Sequence, residues 1–344
     1  MEKINNLVIL KTPFHKKVVE KTHPNLINEP STLVLYSKFV DASDIYIHKT
    51  LLADYQFSRS ELFSNPFKNY KNTVTKLKDV KSDVESINQK FNFSNNLKIV
   101  ICSDSDIFTQ LMLNSLLEHE NKRELIAIEE GLGFYIRTTL KDKFFALLYR
   151  VITPILFGSK LYYVKRMGVY PKINKIYVRD ITLLPKNLKN EDKYKEFRLN
   201  TRDNETKSIK KGSILFFSFP EQDYQIHESI KYKLISEIAS FAKSRNKLLI
   251  IKPHPRENIK PEKIKDLRNI SVLDKSVVGE SLDYFDYEFI INFFSSIILD
   301  IVENDYPKRN LLTIGVLNKP LIEFKNDLKY SSLKDFKAFD LIKI

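Results

Sequence analysis

Short apolar runs separated by amphipathic segments recur along this chain, and this alternation restricts the possible fold more than any other feature. In the first half, runs of this kind predict strands over 7–10, 32–36, 44–47, 97–102 and 125–128. The apolar positions of residues 106–118 and 144–155 recur at helical spacing and predict helices. Alternating strands and helices are typical of an α/β fold.

The same alternation of apolar runs and amphipathic segments resumes after a polar segment. This repetition predicts a second domain. Residues 185–212 are rich in lysine, asparagine, aspartate and glutamate and poor in apolar residues. We predict a first domain over 1–185, a polar linker over 186–211 and a second domain over 212–344. Predicted elements of the second domain are strands over 214–217, 247–252 and 289–293, a helix over 224–242 and a helix from Ser296. Two such domains predict a cleft between the carboxyl ends of both sheets, where ligands bind in open α/β folds.

Composition excludes several classes of protein. With 344 residues, 43% of them hydrophobic, the chain can bury a large core. Its single cysteine, Cys102, excludes a disulfide within the chain and a thiolate metal cluster, and fits a reducing compartment. The net charge of +13 calls for an acidic partner, which nucleic acid, anionic lipid or a negatively charged sugar nucleotide could each provide. The lysines are scattered, so a solvated surface accounts for most of them.

Targeting signals and membrane spans are not expected. The first apolar run, residues 6–10, is too short for the core of a signal peptide. The segment 144–157 is interrupted by Arg150 and Pro154. It is also shorter than the stretch of roughly 20 residues that a membrane span needs. We therefore expect a cytoplasmic protein. This segment and the lysines could hold it against anionic lipid at the inner face of the membrane, with core packing as the alternative.

The motif Glu129-Glu130-Gly131 follows the strand predicted over 125–128. Adjacent side chains of an extended chain point in opposite directions, so one glutamate can face a cleft while the other is held by backbone donors or a cation. Two of only seven glycines, Gly131 and Gly133, follow the pair and indicate tight backbone geometry. We interpret Glu130 as a base; the alternative is a charged turn.

The motif Lys252-Pro253-His254-Pro255-Arg256 follows another predicted strand. Its prolines restrict the backbone on both sides of His254, and histidine is well suited to give a proton near neutral pH. We interpret His254 as an acid beside an anion that its basic neighbours favour. The second His-Pro pair, His23-Pro24, lacks a preceding strand and is interpreted as a loop, whereas His15 after the first strand is placed to line the cleft.

Ser295-Ser296 lies between the apolar runs 289–294 and 297–299. One serine can cap the following helix while free backbone N–H groups face a phosphate, although a plain serine cap needs no ligand. Asp104-Ser105-Asp106 has the form of a metal-binding aspartate pair. We interpret it as helix capping instead, because it stands where the helix of 106–118 begins.

Taken together, these motifs resemble the bacterial sialyltransferases, especially the lipooligosaccharide sialyltransferases and the capsule polysialyltransferases. The resemblance rests on the opening 6–14 with its Thr12-Pro13 turn, on Glu129-Glu130-Gly131, on the His254 motif and on Ser295-Ser296. Many lipooligosaccharide enzymes carry Asp-Asp-Gly, so the glutamates lie closer to the polysialyltransferase form. The longer carboxylate changes the reach into the acceptor pocket.

The resemblance implies a GT-B fold of two Rossmann-like domains facing a central cleft, with acceptor on the first domain and donor on the second. It implies inverting transfer of sialic acid from CMP-sialic acid to a surface glycan, without a metal or other cofactor. Glu130 would deprotonate the acceptor and His254 would assist the departing phosphate. The implied donor-binding residues are Lys252, Pro255, Ser295, Ser296 and Glu280, and the implied acceptor-side residues are Thr12, His15, Glu129 and Gly131.

The sequence is compatible with two other functions. The same fold could use a different nucleotide-activated sugar. A basic protein without catalysis could instead bind nucleic acid, but the chain carries no recognised nucleic-acid-binding motif, and we expect no nucleic-acid partner.

Overall fold

A computed structural model describes residues 3–38, 40–45, 48–52, 70–117, 122–135, 138, 140–164, 166–181, 184–185, 187–189, 191–199, 212–220, 228–254, 257–277, 279–293, 295, 297–304, 306 and 311–314. The chain divides into two compact units, Met1–Leu199 and Asn200–Ile344. Each unit is built on its own parallel sheet.

The first unit contains a seven-stranded sheet among its described residues. Its strands are β1 (Lys3–Leu10), β2 (Thr32–Tyr36), β3 (His48–Leu51), β4 (Asn92–Ile101), β5 (Glu124–Ile128), β6 (Lys175–Val178) and β7 (Tyr194–Glu196). They lie in the order β3-β2-β1-β4-β5-β6-β7, and every neighbouring pair is parallel. The helices are α1 (Pro13–Thr22), α2 (Tyr70–Lys90), α3 (Ile107–Leu117) and α4 (Leu140–Phe157).

The second unit repeats this plan with five strands in its described part. They are β8 (Ser213–Phe217), β9 (Leu248–Lys252), β10 (Ile270–Val272), β11 (Tyr287–Phe293) and β12 (Leu311–Ile314). All pairs are parallel in the order β10-β9-β8-β11-β12. Its helices are α5 (Glu228–Ser244), α6 (Pro261–Ile264) and α7 (Ile297–Glu303).

The core of each unit consists of apolar strands covered by helices. In the first unit, β1, β4 and β5 contribute buried Val8, Val100 and Ile126 to one cluster with Val18 of α1. In the second unit, side chains of β8, β9 and β11 pack against Leu234, Ile235 and Ile238 of α5. Strands buried on both faces have continuous apolar sequences, which is why the interior strands were recognisable in the sequence.

The order of the strands determines where the sequence motifs lie in each sheet. In each sheet the chain starts at a central strand, builds outward on one side and then crosses to the other. The reversal falls between β1 and β4 in the first sheet and between β8 and β11 in the second. Ligands of such folds bind beyond the carboxyl ends of the strands at this point. His15 follows β1, Glu130 follows β5, His254 follows β9 and Ser295 follows β11.

The α/β prediction is confirmed, and two local assignments change. The strand expected at 44–47 lies later, as β3 at His48–Leu51, with residues 46 and 47 outside the described residues. The segment 186–211, expected as linker, includes β7, which pairs with β6. Both strands lie at edges of the sheet, where polar side chains are tolerated and the apolar signal is weak.

Candidate active site

A hydrogen bond between His15 and Glu130 forms the candidate site of the first unit. Nε2 of His15 lies 2.7 Å from Oε2 of Glu130. The imidazole is almost fully buried, whereas 21% of the Glu130 side chain is exposed. Glu130 is therefore held from inside the protein and remains accessible to a hydroxyl group arriving from solvent.

The backbone around α1 fixes the orientation of the His15 ring. The N–H of Lys11 donates to Nδ1 at 3.0 Å. The neutral ring therefore carries its proton on Nε2 and donates it to Glu130. Oγ1 of Thr12 caps α1 by accepting the N–H of His15 at 3.3 Å, and Pro13 occupies the first turn. Thr12 and His15, expected on the acceptor side, thus form the frame that orients Glu130.

Glu129 is fully buried and held by Arg179. Its Oε1 lies 2.9 Å from both Nε and Nη2 of Arg179, and its Oε2 accepts the Arg179 backbone N–H at 2.7 Å. Oε2 also accepts the hydroxyl of Tyr135, whose pKa is raised well above its usual value by burial and by the Glu129 charge. The prediction that one glutamate is held by backbone donors or a cation is confirmed. Glu129, expected on the acceptor side, has no exposed surface and ties β5 to β6.

Gly131 allows the chain to turn immediately after the two glutamates. Its φ of 151° lies in the positive region, which favours glycine. Its carbonyl accepts the N–H of Phe134 at 3.3 Å. The chain then enters a short 3₁₀ turn over Leu132–Phe134. Gly131 therefore shapes the backbone next to Glu130, in agreement with the tight geometry expected there.

Asp104 stabilises a loop of the first unit. Its buried carboxylate accepts the backbone N–H groups of Gly168, Val169 and Tyr170 at 3.0, 2.8 and 2.9 Å. Burial raises the pKa of Asp104, although these three hydrogen bonds act in the opposite direction. Asp104, expected to help cap the helix of 106–118, therefore holds the backbone of residues 168–170 instead.

Asp106 caps α3, as predicted. Its Oδ1 accepts the N–H of Thr109 at 2.8 Å and pairs with the ammonium of Lys11. Burial alone would raise the pKa of Asp106, but Lys11 and Thr109 outweigh burial and lower it. Within the described part of the chain, no group of three or more histidine, cysteine, aspartate or glutamate side chains could hold a metal ion.

The loop that carries His254 forms the candidate site of the second unit. The buried ammonium of Lys252 donates to the carbonyl oxygens of Pro253 and Lys275, at 2.5 and 3.3 Å. Lys252, expected to bind the donor, therefore braces this loop. His254 is half-buried at the end of β9.

A buried carboxylate fixes the backbone at His254. Oε2 of Glu257 accepts the N–H of His254 at 3.0 Å, and the N–H of Glu257 donates to the His254 carbonyl at 2.9 Å. Oε1 of Glu257 accepts the hydroxyl of Ser218 at 2.6 Å and pairs with the ammonium of Lys231 at 2.7 Å. Ser218 follows β8 and Lys231 lies on α5, so two other segments hold the loop through Glu257.

Ser295 lies at the start of α7. Its hydroxyl accepts the N–H of Ile297 at 3.4 Å, and its carbonyl accepts Nδ2 of the buried Asn292 at 3.1 Å. This arrangement is the serine cap that the sequence offered as one interpretation. Pro255 and Ser296 lie outside the described residues, as does the side chain of Glu280, whose backbone belongs to a 3₁₀ turn over Gly279–Ser281.

Sequence reasoning missed the residues that hold the two loops. Arg179 and Ser218 belong to no recognised motif, and only the position of Glu257, three residues after His254, connects it with one. Lys231 carries a clearer signal. It lies seven residues before Ile238 on the apolar face of α5, where a lysine requires a buried partner.

Each unit is an α/β fold on a parallel sheet, with a carboxylate–histidine pair after β5 in the first unit and a braced histidine loop after β9 in the second. A model of the alpha-2,8-polysialyltransferase family (POLYST) matches residues 5–299, and the chain belongs to this family. The protein is thus a glycosyltransferase of the sialyltransferase group, and the resemblance noted in the sequence is confirmed.

Matches among solved structures include the following three. UDP-GlcNAc 2-epimerase from Neisseria meningitidis bound to UDP-GlcNAc is 12% identical with a TM-score of 0.49, covering 100% of this chain and 95% of that one. The MnaA–UDP structure of S. aureus is 12% identical with a TM-score of 0.48, covering 100% and 92%. Sialyltransferase from Photobacterium damsela is 11% identical with a TM-score of 0.47, covering 98% and 80%. No curated protein matches the sequence.

Proposed function

We propose that this enzyme transfers sialic acid from CMP-sialic acid to a hydroxyl of a bacterial surface glycan, a lipooligosaccharide or a capsule polysaccharide. The transfer inverts the anomeric centre and needs no metal. In this proposal the enzyme works in the cytoplasm at the inner face of the membrane. Family membership supports the sialyl group, and the arrangement of Glu130 supports the chemistry.

The hydrogen bond between His15 and Glu130 is the observation that carries the proposal. His15 is immobilised by Lys11 and by the cap of α1, so its Nε2–H holds the partly exposed Glu130 carboxylate in one orientation. A positioned carboxylate of this kind can accept the proton of an acceptor hydroxyl while the hydroxyl oxygen attacks the anomeric carbon. The bond from that carbon to the CMP phosphate oxygen breaks, and its electron pair leaves with CMP.

His254 acts on the leaving group in this proposal. A proton or hydrogen bond from its imidazole offsets the charge that develops on the phosphate oxygen. CMP carries a single phosphate, which histidine, serine hydroxyls and backbone N–H groups can stabilise without a metal. Ser295, Ser296, Pro255 and Glu280 are the further donor contacts proposed from the resemblance.

The test is CMP release from CMP-sialic acid, measured with and without a sialylated or galactoside acceptor and with EDTA present. We expect acceptor-stimulated release that survives EDTA. Glu130→Gln and His254→Ala should each lower kcat by about 10²- to 10⁴-fold, the usual contribution of a general acid or base. Titration with CMP, UMP and UDP identifies the nucleotide, and CMP should bind most tightly.

The chain provides a matched control for each variant. Glu124→Gln changes a glutamate that pairs with Lys175 at the surface, and His23→Ala changes the histidine of the other His-Pro pair. Both controls should keep wild-type turnover. Tighter binding of UMP or UDP than of CMP would refute the donor assignment, and full activity of Glu130→Gln would refute the proposed base.

A further inference from the structure

Helix α4 presents an apolar face to solvent. Among the described residues, ten large apolar side chains are exposed, and seven of them belong to this one helix. They are Leu140, Phe144, Phe145, Leu147, Leu148, Val151 and Ile155. Exposed fractions of 84% for Leu140 and 78% for Ile155 show that this segment is not packed into a core.

The exposed side chains form a continuous stripe. Six of them, at positions 140, 144, 147, 148, 151 and 155, recur every three or four residues. At about 100° per residue, this spacing confines them to an arc of roughly 100°. The polar side chains on the opposite face are buried: Thr153 accepts the N–H of Leu161 at 2.9 Å, and Asp142 accepts the hydroxyl of Tyr163. Phe145 and Tyr149 also pack against Tyr163, so the helix is attached by these polar and aromatic contacts and turns its six-residue stripe outward.

Positive charges border the apolar stripe. Lys141 lies on one side, and Lys143 and Arg150 lie on the other, and all three side chains are exposed. The one acidic residue of the helix, Asp142, is buried on the opposite face. Cations around an apolar surface complement the anionic headgroups above the acyl region of a bilayer.

Geometry and charge select one partner for this surface. No helix of the described chain is long and apolar enough to cross a membrane. Packing against the same stripe of a second copy would bring the two basic borders together. We propose that α4 lies in the plane of an anionic membrane, with its apolar stripe among the acyl chains and its basic borders at the headgroups.

The length of the helix suits this orientation. Helix α4 has 18 residues. With a rise of about 1.5 Å per residue, it offers a contact about 27 Å long in the plane of the membrane. This inference does not depend on the sugar donor.

The absence of tryptophan from the sequence allows a direct test. Phe144→Trp places a single tryptophan on the stripe, and Leu248→Trp places one at an exposed apolar position of the second unit. With mixed phosphatidylglycerol–phosphatidylcholine vesicles, the emission of Phe144→Trp should shift to shorter wavelength and be quenched by brominated acyl chains. The emission of Leu248→Trp should remain unchanged. No shift for Phe144→Trp, or a shift that follows protein concentration without vesicles, would overturn the proposal.

Co-sedimentation with the same vesicles gives a second test. The variant Phe144→Gln, Leu147→Gln, Val151→Gln keeps good helix formers but removes apolar area, and it should bind at least about tenfold more weakly. Lys141→Gln and Lys143→Gln together should lower binding to anionic vesicles by about 10- to 30-fold, from the usual contribution of each basic residue. Leu248→Gln is the matched control. Circular dichroism confirms that each variant is folded, and equal binding of folded triple variant and wild type contradicts the proposal.

Discussion

Glu129 and Glu130 are neighbours in the chain, yet their carboxylates have different surroundings. Glu129 has no exposed surface and accepts hydrogen bonds from Arg179 and Tyr135, whereas Glu130 is partly exposed and bonded to His15. A carboxylate paired with a buried cation has a structural role. A partly exposed carboxylate that accepts one hydrogen bond has lone pairs left for a ligand, so of the two glutamates Glu130 fits the base of the proposed reaction.

Changing each glutamate to glutamine should separate these roles. Glu129→Gln leaves the Arg179 guanidinium buried without its counter-charge, and we expect the first unit to lose about 3–5 kcal/mol of unfolding free energy. Glu130→Gln keeps the size of a partly exposed side chain, so its thermal midpoint should lie within a few degrees of wild type. Thermal unfolding followed by circular dichroism measures both. Equal midpoints for the two variants would contradict the structural role of Glu129.

Alternation along an extended chain predicted that one glutamate points inward and one outward, but it could not identify their partners. His15 lies 115 residues from Glu130, and Arg179 lies 50 residues from Glu129. Contacts of this range depend on the order of strands in the sheet. Because a single sequence does not reveal the order of the strands, both partners could be identified only from the structure.

The loop after β9 shows how elements cooperate to hold one residue. Glu257 reaches from the loop to Ser218 after β8 and to Lys231 on α5, and its other oxygen holds the backbone of His254. The Lys231 and Glu257 side chains are each 1% exposed. A buried pair of this kind stabilises a structure only while both partners are present.

A double-mutant cycle should reveal the coupling between these elements. Lys231→Met and Glu257→Gln should each cost about 3–5 kcal/mol, because each leaves a buried polar partner uncompensated. The double variant should be more stable than the sum of the single losses predicts, by about 1–3 kcal/mol. Urea unfolding at neutral pH measures all four proteins.

Activity gives this cycle a second readout. If Glu257 positions His254, Glu257→Gln should lower kcat for CMP release more than it changes KM, and Glu257→Asp should restore part of the loss. Strict additivity of the unfolding energies would show that the pair is not coupled. A normal kcat in folded Glu257→Gln would show that Glu257 does not position His254.

Elements whose sequences are continuously or periodically apolar were predicted well. The errors fall on elements with few apolar residues. Strands β2, β5, β8 and β9 lie within one residue of their predicted bounds, because parallel strands covered on both faces have continuous apolar sequences. The sequence of β7 is Tyr-Lys-Glu with two exposed positions, so composition alone placed it in a linker. The helix α4 was predicted, but whether its apolar side is buried or exposed depends on neighbours that the sequence does not specify.

At the scale of the whole molecule, the single cysteine lies in the core of the first unit. Cys102 directly follows β4 in the first unit and is 1% exposed. Burial, together with the nearby charge of Glu130, raises the pKa of this thiol well above its usual value. The folded chain therefore keeps a proton on Cys102 at a pH where the unfolded chain has lost it.

The sign of this linkage predicts a loss of stability at alkaline pH. Below about pH 8.5, the ordinary pKa of a thiol, Cys102 is protonated in both states and its contribution is fully present. As the pH rises further, only the unfolded state ionises, so the unfolding free energy should fall more steeply in wild type than in Cys102→Ala. One proton limits the extra slope to about 1.4 kcal/mol per pH unit. Tyr135 has a raised pKa in both proteins, so the difference between their slopes isolates the thiol. Urea unfolding between neutral and alkaline pH measures the slopes, and parallel curves would show that Cys102 ionises equally in both states.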